Sequence, residues 1–234
     1  MNPFDSHIVS FLNGLAGHWK TFDQLMVFMS DSPFVKGWLI MACLWWLWFR
    51  PASEGGNRRD FVVATILTGA VSVLVARGLA DVLPFRERPF SDASAHFTPP
   101  YSFTGRDLET WSSFPSDHAV LFFALATGLF VAHWKLGIAA YAWVIVAICF
   151  PRLYLGIHWP TDIIAGAAVG IALGWAGTTR AIRDAIRTHI LPWSESWPGF
   201  FYAGMFLIMF EVMNIFNDAR AGLHVLSHGA KNVL

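Results

Sequence analysis

Six long apolar stretches constrain the fold of this 234-residue chain more than any other feature of its sequence. A helix needs about 20 mostly apolar residues to cross the hydrocarbon core of a bilayer. The candidate segments are residues 34–49, 61–83, 116–133, 136–150, 160–178 and 199–216. Three of them are short, so tilt or interfacial tryptophans must cover their ends. The pattern predicts an all-α fold, an integral membrane six-helix bundle that occupies residues 34–218.

The composition agrees with a membrane protein. Only 14% of the residues are charged and 55% are hydrophobic, whereas a soluble domain carries about 25% charged residues. The formal net charge is zero, so the charge balance gives no reason to expect a nucleic-acid partner. Cys43 and Cys149 lie inside apolar runs, and we expect buried thiols rather than a disulfide framework.

The two ends of the chain fall outside the predicted bundle. Residues 1–33 form an N-terminal amphipathic helical segment, because Phe4, Ile8, Phe11 and Leu15 recur near helical spacing. This segment is predicted to be either an interfacial helix pair on the membrane surface or a lid packed over the bundle. Residues 219–234 are assigned to a C-terminal tail.

The placement of basic residues predicts the orientation of the bundle. The connections after the first, third and fifth spans contain Arg50, Arg58, Arg59, Lys135, Arg180, Arg183 and Arg187. The positive-inside rule makes that side cytoplasmic. The opposite, periplasmic or exterior connections contain Arg77, Arg86, Arg88, Arg106 and Arg152. Because the positive-inside rule does not account for arginines on this side, we expect them to have a chemical role.

Three segments with polar residues fall at the outer ends of spans: residues 77–89, 112–118 and 152–162. In the second, Ser116 is a good N-cap for a long apolar helix, whose free N–H groups form an anion site. The alternative is a plain Ser-capped helix with an incidental His118. In the first, Arg86 and Arg88 add positive charge, although arginines near span ends also snorkel to the membrane surface.

The third segment points most directly to chemistry. Pro160 suits the first position of a helix, and Asp162 then lies four residues after His158, within reach of its imidazole. A carboxylate on one ring nitrogen fixes the tautomer and raises the basicity of the other nitrogen, which can attack. Arg152 can fold back to bind phosphate oxygens with its planar fork of donors. Alternatively, the His–Asp pair only fastens the connection to the helix.

Together these segments resemble the signature of the type-2 phosphatidic acid phosphatase superfamily, which also includes vanadium haloperoxidases. The matching residues, in order and at the family's spacing, are Arg88-Pro89, Pro115-Ser116-Asp117-His118, Arg152, His158 and Asp162. The resemblance covers residues 77–175, and six spans is the family's membrane architecture.

The resemblance implies a mechanism. His158 would attack phosphorus to form a phosphohistidine, Asp162 would orient it, and His118 would protonate the leaving oxygen and then activate water. The residues expected to bind the substrate phosphate are Arg88, Arg152, Ser116, Asp117 and Arg86. No metal and no cofactor are expected, and the substrate is a lipid phosphate within the membrane. The sequence leaves the oligomeric state open.

The chain departs from the family pattern at three positions. The family's leading lysine position, seven residues before Arg88, is Asp81, so Arg86 or Arg77 would have to supply its charge. The family's glycine before His118 is Asp117, a variant that looks like bacterial polyprenyl-diphosphate phosphatases. Asp117 could either adjust the pKa of His118 or contact a second phosphate. The residue before Arg152 is proline instead of serine.

This resemblance predicts a lipid phosphatase that acts on a phosphate monoester or diphosphate on the extracytoplasmic side. The preferred substrate is undecaprenyl diphosphate, the recycled carrier of cell-envelope polysaccharide. Phosphatidylglycerophosphate, phosphatidate and a lipid A phosphate are the alternatives, as is transfer of the phosphoryl group to another lipid. An anion or lipid transporter is the non-enzymatic alternative. The segment 91–113 is expected to help select the substrate through His96, Arg106, Asp107, Glu109 and Trp111.

One regular pattern favours packing rather than chemistry. Gly166, Gly170 and Gly174 recur every four residues and predict a small-residue face for close helix contact. Glu211 and Asn214 lie in the last span, where they are expected either to bond to a neighbouring helix or to line a lipid entry route.

Overall fold

The computed structural model describes residues 2–51, 58–105, 108 and 111–216. Two earlier expectations lie outside these residues: the part played by Arg106, Asp107 and Glu109, and the tail of residues 219–234. The described helices are α1 (Pro3–Asn13), α2 (Lys20–Asp31), α3 (Pro33–Phe49), α4 (Arg59–Val82), α5 (Asp117–Ala132), α6 (Trp134–Trp143), α7 (Phe150–Tyr154), α8 (Pro160–Gly177), α9 (Arg180–His189), α10 (Trp193–Ser196) and α11 (Pro198–Met213). These ranges contain no β-strand, so the all-α prediction is confirmed for them.

Each of the six predicted apolar segments is helical. They correspond to α3, α4, α5, α8, α11 and one continuous helix, Trp134–Tyr154, in which α6 and α7 are joined by the π-helical turn Val144–Cys149. The predicted and observed bounds of each helix differ by a few residues, as is usual at helix ends.

The number of helices that can span a membrane differs from the number of apolar helices. Within the described residues, three helices are long and apolar enough to cross a bilayer by themselves: Arg59–Val82, Trp134–Tyr154 and Pro160–Gly177. The count rises to five if the α2–α3 pair, bent by 58°, and the pair Arg180–Ser196 and Pro198–Met213, bent by 117°, each form one span. Helix α5 is apolar but only 16 residues long. The chain is a multi-pass membrane protein, and six spans stays a prediction.

Helix α5 forms the centre of the bundle. All its side chains from Ala119 to Leu129 are buried, because α4, α6 and α8 surround it. A helix that is apolar on every side suits such a position. The glycines of α8 allow the closest of these contacts: a Cβ at Gly166 would lie 2.7 Å from the Ser116 carbonyl oxygen, and one at Gly170 would lie 2.3 Å from that of Val120. The small-residue face predicted from the sequence is therefore the contact between α8 and α5.

The N-terminal helices α1 and α2 pack onto one end of this bundle, where they contact α7 and α8. Each carries a fully buried carboxylate. Asp23 of α2 accepts hydrogen bonds from the Tyr154 hydroxyl and from the main-chain N–H groups of Gly17 and Tyr101. Such contacts favour the packed lid, one of the two forms the sequence allowed. Placement of this pair at the membrane surface stays a prediction.

The two ends of the bundle differ in chemistry. At one end, Arg58 donates to the Ala132 carbonyl oxygen, and Arg183 and Arg187 both pair with the buried carboxylate of Asp60. The predicted site segments 77–89, 112–118 and 152–162 meet at the other end. The helical topology therefore separates Arg58, Arg183 and Arg187 from Arg86, Arg88 and Arg152 of the site segments.

Candidate active site

The three site segments meet around one cavity of about 400 Å³. Five of the eight predicted site residues line it: His118, His158, Arg88, Arg152 and Asp117. The remaining wall comes from α2, α3, the long connection between α4 and α5, the turn between α7 and α8 and the residues after α11. It includes Ser30, Asp31, Lys36, Phe103, Leu108, Trp111, Ile157 and Ile215. The other three predicted residues, Asp162, Ser116 and Arg86, do not line this cavity.

His158 lies in the tight turn between α7 and α8, almost completely buried. The turn forms because Gly156 adopts φ +66°, a left-handed conformation that favours glycine. His158 Nδ1 lies 2.9 Å from the Ser113 carbonyl oxygen. Because a carbonyl oxygen can only accept, Nδ1 carries the proton in this hydrogen bond. The lone pair then resides on Nε2, the ring nitrogen that is left to act in the cavity.

The position of Asp162 differs from the sequence-based expectation. Its Oδ2 atom is 3.6 Å from His158 Nδ1, farther than the Ser113 carbonyl oxygen. The same oxygen accepts a hydrogen bond of 2.8 Å from the Trp159 N–H, because Asp162 lies in the first turn of α8 and folds back to cap it. The expected partner is therefore an electrostatic neighbour, and a carbonyl oxygen from another segment orients the ring.

Burial lowers the pKa of His158 below its usual value. The loss of hydration disfavours the charged imidazolium, and the positive charge of Arg88 acts in the same direction. The carboxylate of Asp162 opposes both effects without overcoming them. The neutral form, which carries the nucleophilic lone pair, is therefore favoured down to a lower pH than for an exposed histidine.

His118 is the second histidine of the cavity and the second residue of α5. Its Nδ1 atom lies 2.8 Å from Asp117 Oδ1, and the same oxygen accepts from the His118 main-chain N–H at 2.7 Å. These contacts are suited to positioning His118, and a contact between Asp117 and phosphate stays a prediction.

Two arginines of the cavity are held by main-chain carbonyl oxygens. Arg88 donates to Leu108, Ile157 and Ser112 at 3.1, 2.9 and 3.3 Å. Arg152 donates to Ile148 and Ser30 at 3.0 and 3.4 Å. Their charge is not neutralised by these neutral acceptors. Cations that are fixed before the substrate arrives stabilise developing negative charge without reorganisation.

Arg86 has other partners than those expected of a phosphate-binding residue. Its guanidinium donates to Asp162 Oδ1 at 2.5 Å, to the Thr161 hydroxyl at 2.8 Å and to Asp5 Oδ2 at 2.7 Å. Two buried carboxylates therefore balance its charge. Arg86 connects α1 to Asp162, and this network was invisible in the sequence because Asp5 lies 81 residues away.

Ser116 is a helix cap in the structure. It is fully buried, and its hydroxyl oxygen accepts from the Ala119 N–H at 3.4 Å. Its own N–H donates to the Asp162 carbonyl oxygen at 3.2 Å. Ser116 therefore caps α5, as the sequence predicted, and phosphate binding by its hydroxyl stays a prediction.

Lys36 of α3 is the residue that sequence reasoning missed. It is 7% exposed and lines the cavity together with Arg88 and Arg152. A signal was present, because a lysine inside a predicted membrane span is expected to have a function. The residue was overlooked because it lies far from all three motifs in sequence.

This set of side chains suits transfer of a phosphoryl group. Two histidines can act as nucleophile and as general acid, while three cations can hold the phosphate oxygens. Among the residues that the structure describes, no three His, Cys, Asp or Glu side chains are grouped as they would be around a metal ion.

The family assignment follows from comparison with known proteins. The family model of the PAP2 superfamily matches residues 57–185, more than half of the chain, so this chain belongs to the PAP2 superfamily. The resemblance seen in the sequence is thereby confirmed.

Three of the proteins that are similar to this chain share between 18% and 27% of their aligned residues with it. Undecaprenyl-diphosphatase BcrC of Bacillus subtilis is 27% identical over 70% of this chain and 77% of its own length. Lipid A 1-diphosphate synthase of Escherichia coli is 26% identical over 74% of this chain and 73% of its own length. The solved structure of a transmembrane PAP2-type phosphatidylglycerolphosphate phosphatase from Bacillus subtilis aligns with a TM-score of 0.48 and 18% identity, over 78% of this chain and 85% of that chain.

Proposed function

We propose that this chain is a membrane lipid phosphatase in which His158 is the nucleophile. The observation that carries the proposal is the environment of His158. Its Nδ1–H is bound by the Ser113 carbonyl oxygen, and the ring lines a cavity that also contains His118, Arg88 and Arg152. This arrangement presents a neutral, oriented nitrogen to an anion-binding cavity, as a phosphoryl acceptor requires.

In the first step of the proposed reaction, the lone pair of His158 Nε2 attacks the phosphorus atom. The bond between phosphorus and the leaving oxygen breaks, and that oxygen takes a proton from the imidazolium form of His118, which is paired with Asp117 and becomes neutral. The product is a phosphohistidine and a shortened lipid. Arg88 and Arg152 stabilise the negative charge that develops on the non-bridging oxygens.

In the second step, neutral His118 removes a proton from water, whose oxygen attacks the phosphorus atom. The bond between phosphorus and Nε2 breaks, its electron pair returns to the nitrogen, and inorganic phosphate leaves. Both histidines regain their starting protonation states. The proposal needs no metal ion, because the cations around the cavity supply the positive charge.

The substrate that we propose is undecaprenyl diphosphate, which would be converted to undecaprenyl phosphate. Two features of the sequence support it: Asp117 in place of the family's glycine, and the form of residues 83–89. The relative from Bacillus subtilis carries the name of that activity. Phosphatidylglycerophosphate, phosphatidate and a lipid A phosphate are the alternative substrates.

The proposed site faces the periplasm or exterior of a bacterial cytoplasmic membrane. The distribution of charge supports this orientation. Arg58, Arg183 and Arg187 gather at the end of the bundle opposite the cavity, and basic loops favour the cytoplasm.

A phosphotransferase is the second candidate. The observation that favours it is the similarity to lipid A 1-diphosphate synthase over about three quarters of each chain. In that reaction a lipid phosphate oxygen replaces water as the acceptor in the second step. The two activities differ in whether the phosphate is recovered as inorganic phosphate or on a second lipid.

The test is phosphate release from a panel of purified lipid phosphates by the full chain, with and without a magnesium chelator. The panel contains undecaprenyl diphosphate and the three alternatives. We expect release to resist the chelator, to be inhibited by vanadate and to be abolished by His158→Ala. The matched control is His189→Ala, which removes an exposed histidine at the opposite end. Release by His158→Ala at the rate of the unmodified protein would contradict the proposal.

A further inference from the structure

The cavity has a third cation that no sequence motif supplies. Lys36 enters it from α3, four residues after Ser32, which caps that helix through the Val35 N–H. The motif segments contribute Arg88 and Arg152 from other parts of the chain. Lys36 lies with both of them and with His158 on the wall of the same cavity.

The burial of Lys36 calls for an anionic partner. A lysine ammonium group within a membrane span is costly, and such residues usually serve a function. The electrostatic neighbours of Lys36 are the carboxylates of Asp31 and Asp117 and the guanidinium of Arg152. Asp117 already holds the ring and the main-chain N–H of His118. Among the residues that the structure describes, the wall of the cavity therefore combines three cations, Lys36, Arg88 and Arg152, with two carboxylates, which leaves an excess of positive charge for a ligand.

The lysine position of the family pattern carries no cation in this chain. Asp81 is exposed near the end of α4 and is not part of the cavity wall. The two arginines that could have replaced it are engaged in other contacts. Arg86 pairs with Asp5 and Asp162, and Arg77 donates to the Ile215 carbonyl oxygen at 2.7 Å.

We propose that Lys36 binds the non-bridging oxygens of the substrate phosphate. From α3, it would perform the role of the lysine that the family pattern has at the position of Asp81. This inference rests on the proposed phosphatase activity and deepens it. The ammonium group would act with Arg88 and Arg152 on the charge that develops in both steps of the reaction.

The experiment compares kcat/KM for a hydrolysable lipid phosphate among purified full-length variants. Removal of one charge-stabilising donor typically lowers kcat by about 10²- to 10³-fold. We therefore expect Lys36→Met to lose about 100-fold or more in kcat/KM, and Lys36→Arg to stay within about tenfold of the unmodified protein, because it keeps the charge. The matched control is Lys135→Met, which removes an exposed lysine from the opposite end.

Inhibition by inorganic vanadate gives a second readout that depends on anion binding rather than on the lipid. The inhibition constant should rise at least about tenfold in Lys36→Met, because one cation of the anion site is lost. Lys36→Gln, which keeps a polar side chain, provides the same comparison if the methionine variant does not fold.

The outcomes separate this inference from the proposed function. Activity and vanadate inhibition of Lys36→Met and Lys36→Gln within threefold of the unmodified protein, with His158→Ala inactive, would overturn the role of Lys36 alone. An unmodified protein that is inactive on every lipid phosphate would overturn both proposals.

Discussion

At the scale of single residues, two different groups determine the properties of His158. The Ser113 carbonyl oxygen orients the ring, while Asp162 lies 3.6 Å away and shares its charge with Arg86 and the Trp159 N–H. A neutral acceptor fixes the tautomer without strongly favouring the imidazolium. His158 can therefore be both oriented and uncharged.

The lowered pKa of His158 leads to a prediction about pH. The neutral nucleophile persists as the pH falls until the pH reaches this lowered pKa. The acidic limb of the kcat/KM profile should therefore have its midpoint below about 6.5, the usual value for histidine. Steady-state rates from pH 4 to 9 in detergent solution would measure it. A midpoint above the usual value would mean that Asp162 governs the ring instead of burial.

Sequence reasoning predicted part of this site. The proximity of His158 and Asp162 follows from local spacing, because a four-residue separation at a helix start fixes which side chains can meet. His118 was included because of the resemblance to the family. Lys36 and the Ser113 carbonyl oxygen were not predictable in this way. Both reach the site through the packing of distant segments, and a main-chain carbonyl has no sequence signal at all.

At the scale of helices, α1 acts on the site without touching the cavity. Asp5 accepts from the Thr161 N–H and hydroxyl at 2.9 and 2.7 Å and pairs with Arg86, which in turn holds Asp162. Asp5 is therefore a positioning residue. The N-terminal segment fastens the start of α8 and the carboxylate behind His158.

This connection predicts the effect of Asp5→Asn. The change removes one counter-charge of Arg86 and alters its hold on Asp162. We expect kcat to fall about tenfold, equivalent to roughly one hydrogen bond to a charged group. KM should change little, because Asp5 does not line the cavity. The control is Asp184→Asn, which alters an ion pair with Arg187 at the opposite end. An increase in KM with unchanged kcat would contradict the positioning role.

The contact between α5 and α8 predicts a stability effect at Gly170. A Cβ there would lie 2.3 Å from a main-chain oxygen of α5, and a main chain cannot move aside as a side chain can. Overpacking of this kind costs about 1–3 kcal/mol, which outweighs the gain of roughly 0.5–1 kcal/mol from replacing a helical glycine by alanine.

We therefore expect Gly170→Ala to lower the thermal unfolding midpoint of the detergent-solubilised protein. The matched control is Gly78→Ala, because a Cβ at Gly78 meets nothing within 4 Å. Its midpoint should be unchanged or slightly higher. Equal midpoints for the two variants would show that α8 is not packed as closely on α5 as described.

At the scale of the whole molecule, the bundle has a basic end and a cavity end. The existence of six apolar helices was predictable, because continuous hydrophobicity identifies such segments reliably. The bends between α2 and α3 and before α11, and the docking of α1 and α2, were not. The docking of α1 and α2 depends on buried polar partners such as Asp23 with Tyr154, which meet only after the helices pack.

The orientation of the molecule can be tested by cysteine labelling. Both native cysteines are buried, so the background should be low. Ala93→Cys adds an exposed thiol at the cavity end, and Arg180→Cys adds one at the basic end. An impermeant maleimide on intact bacterial cells should label the first and spare the second, which should react only after the cells are opened. The reverse pattern would place the cavity in the cytoplasm.

The most direct test of the account is detection of a phosphoenzyme on His158. The full chain is mixed with a lipid phosphate that carries a radioactive terminal phosphate, and the reaction is quenched within milliseconds. A phosphohistidine predicts a protein-bound label that is lost in acid, survives alkali, maps to the peptide that contains His158, and is absent from His158→Ala. Turnover without any such label, or a label retained by His158→Ala, would contradict the central claim.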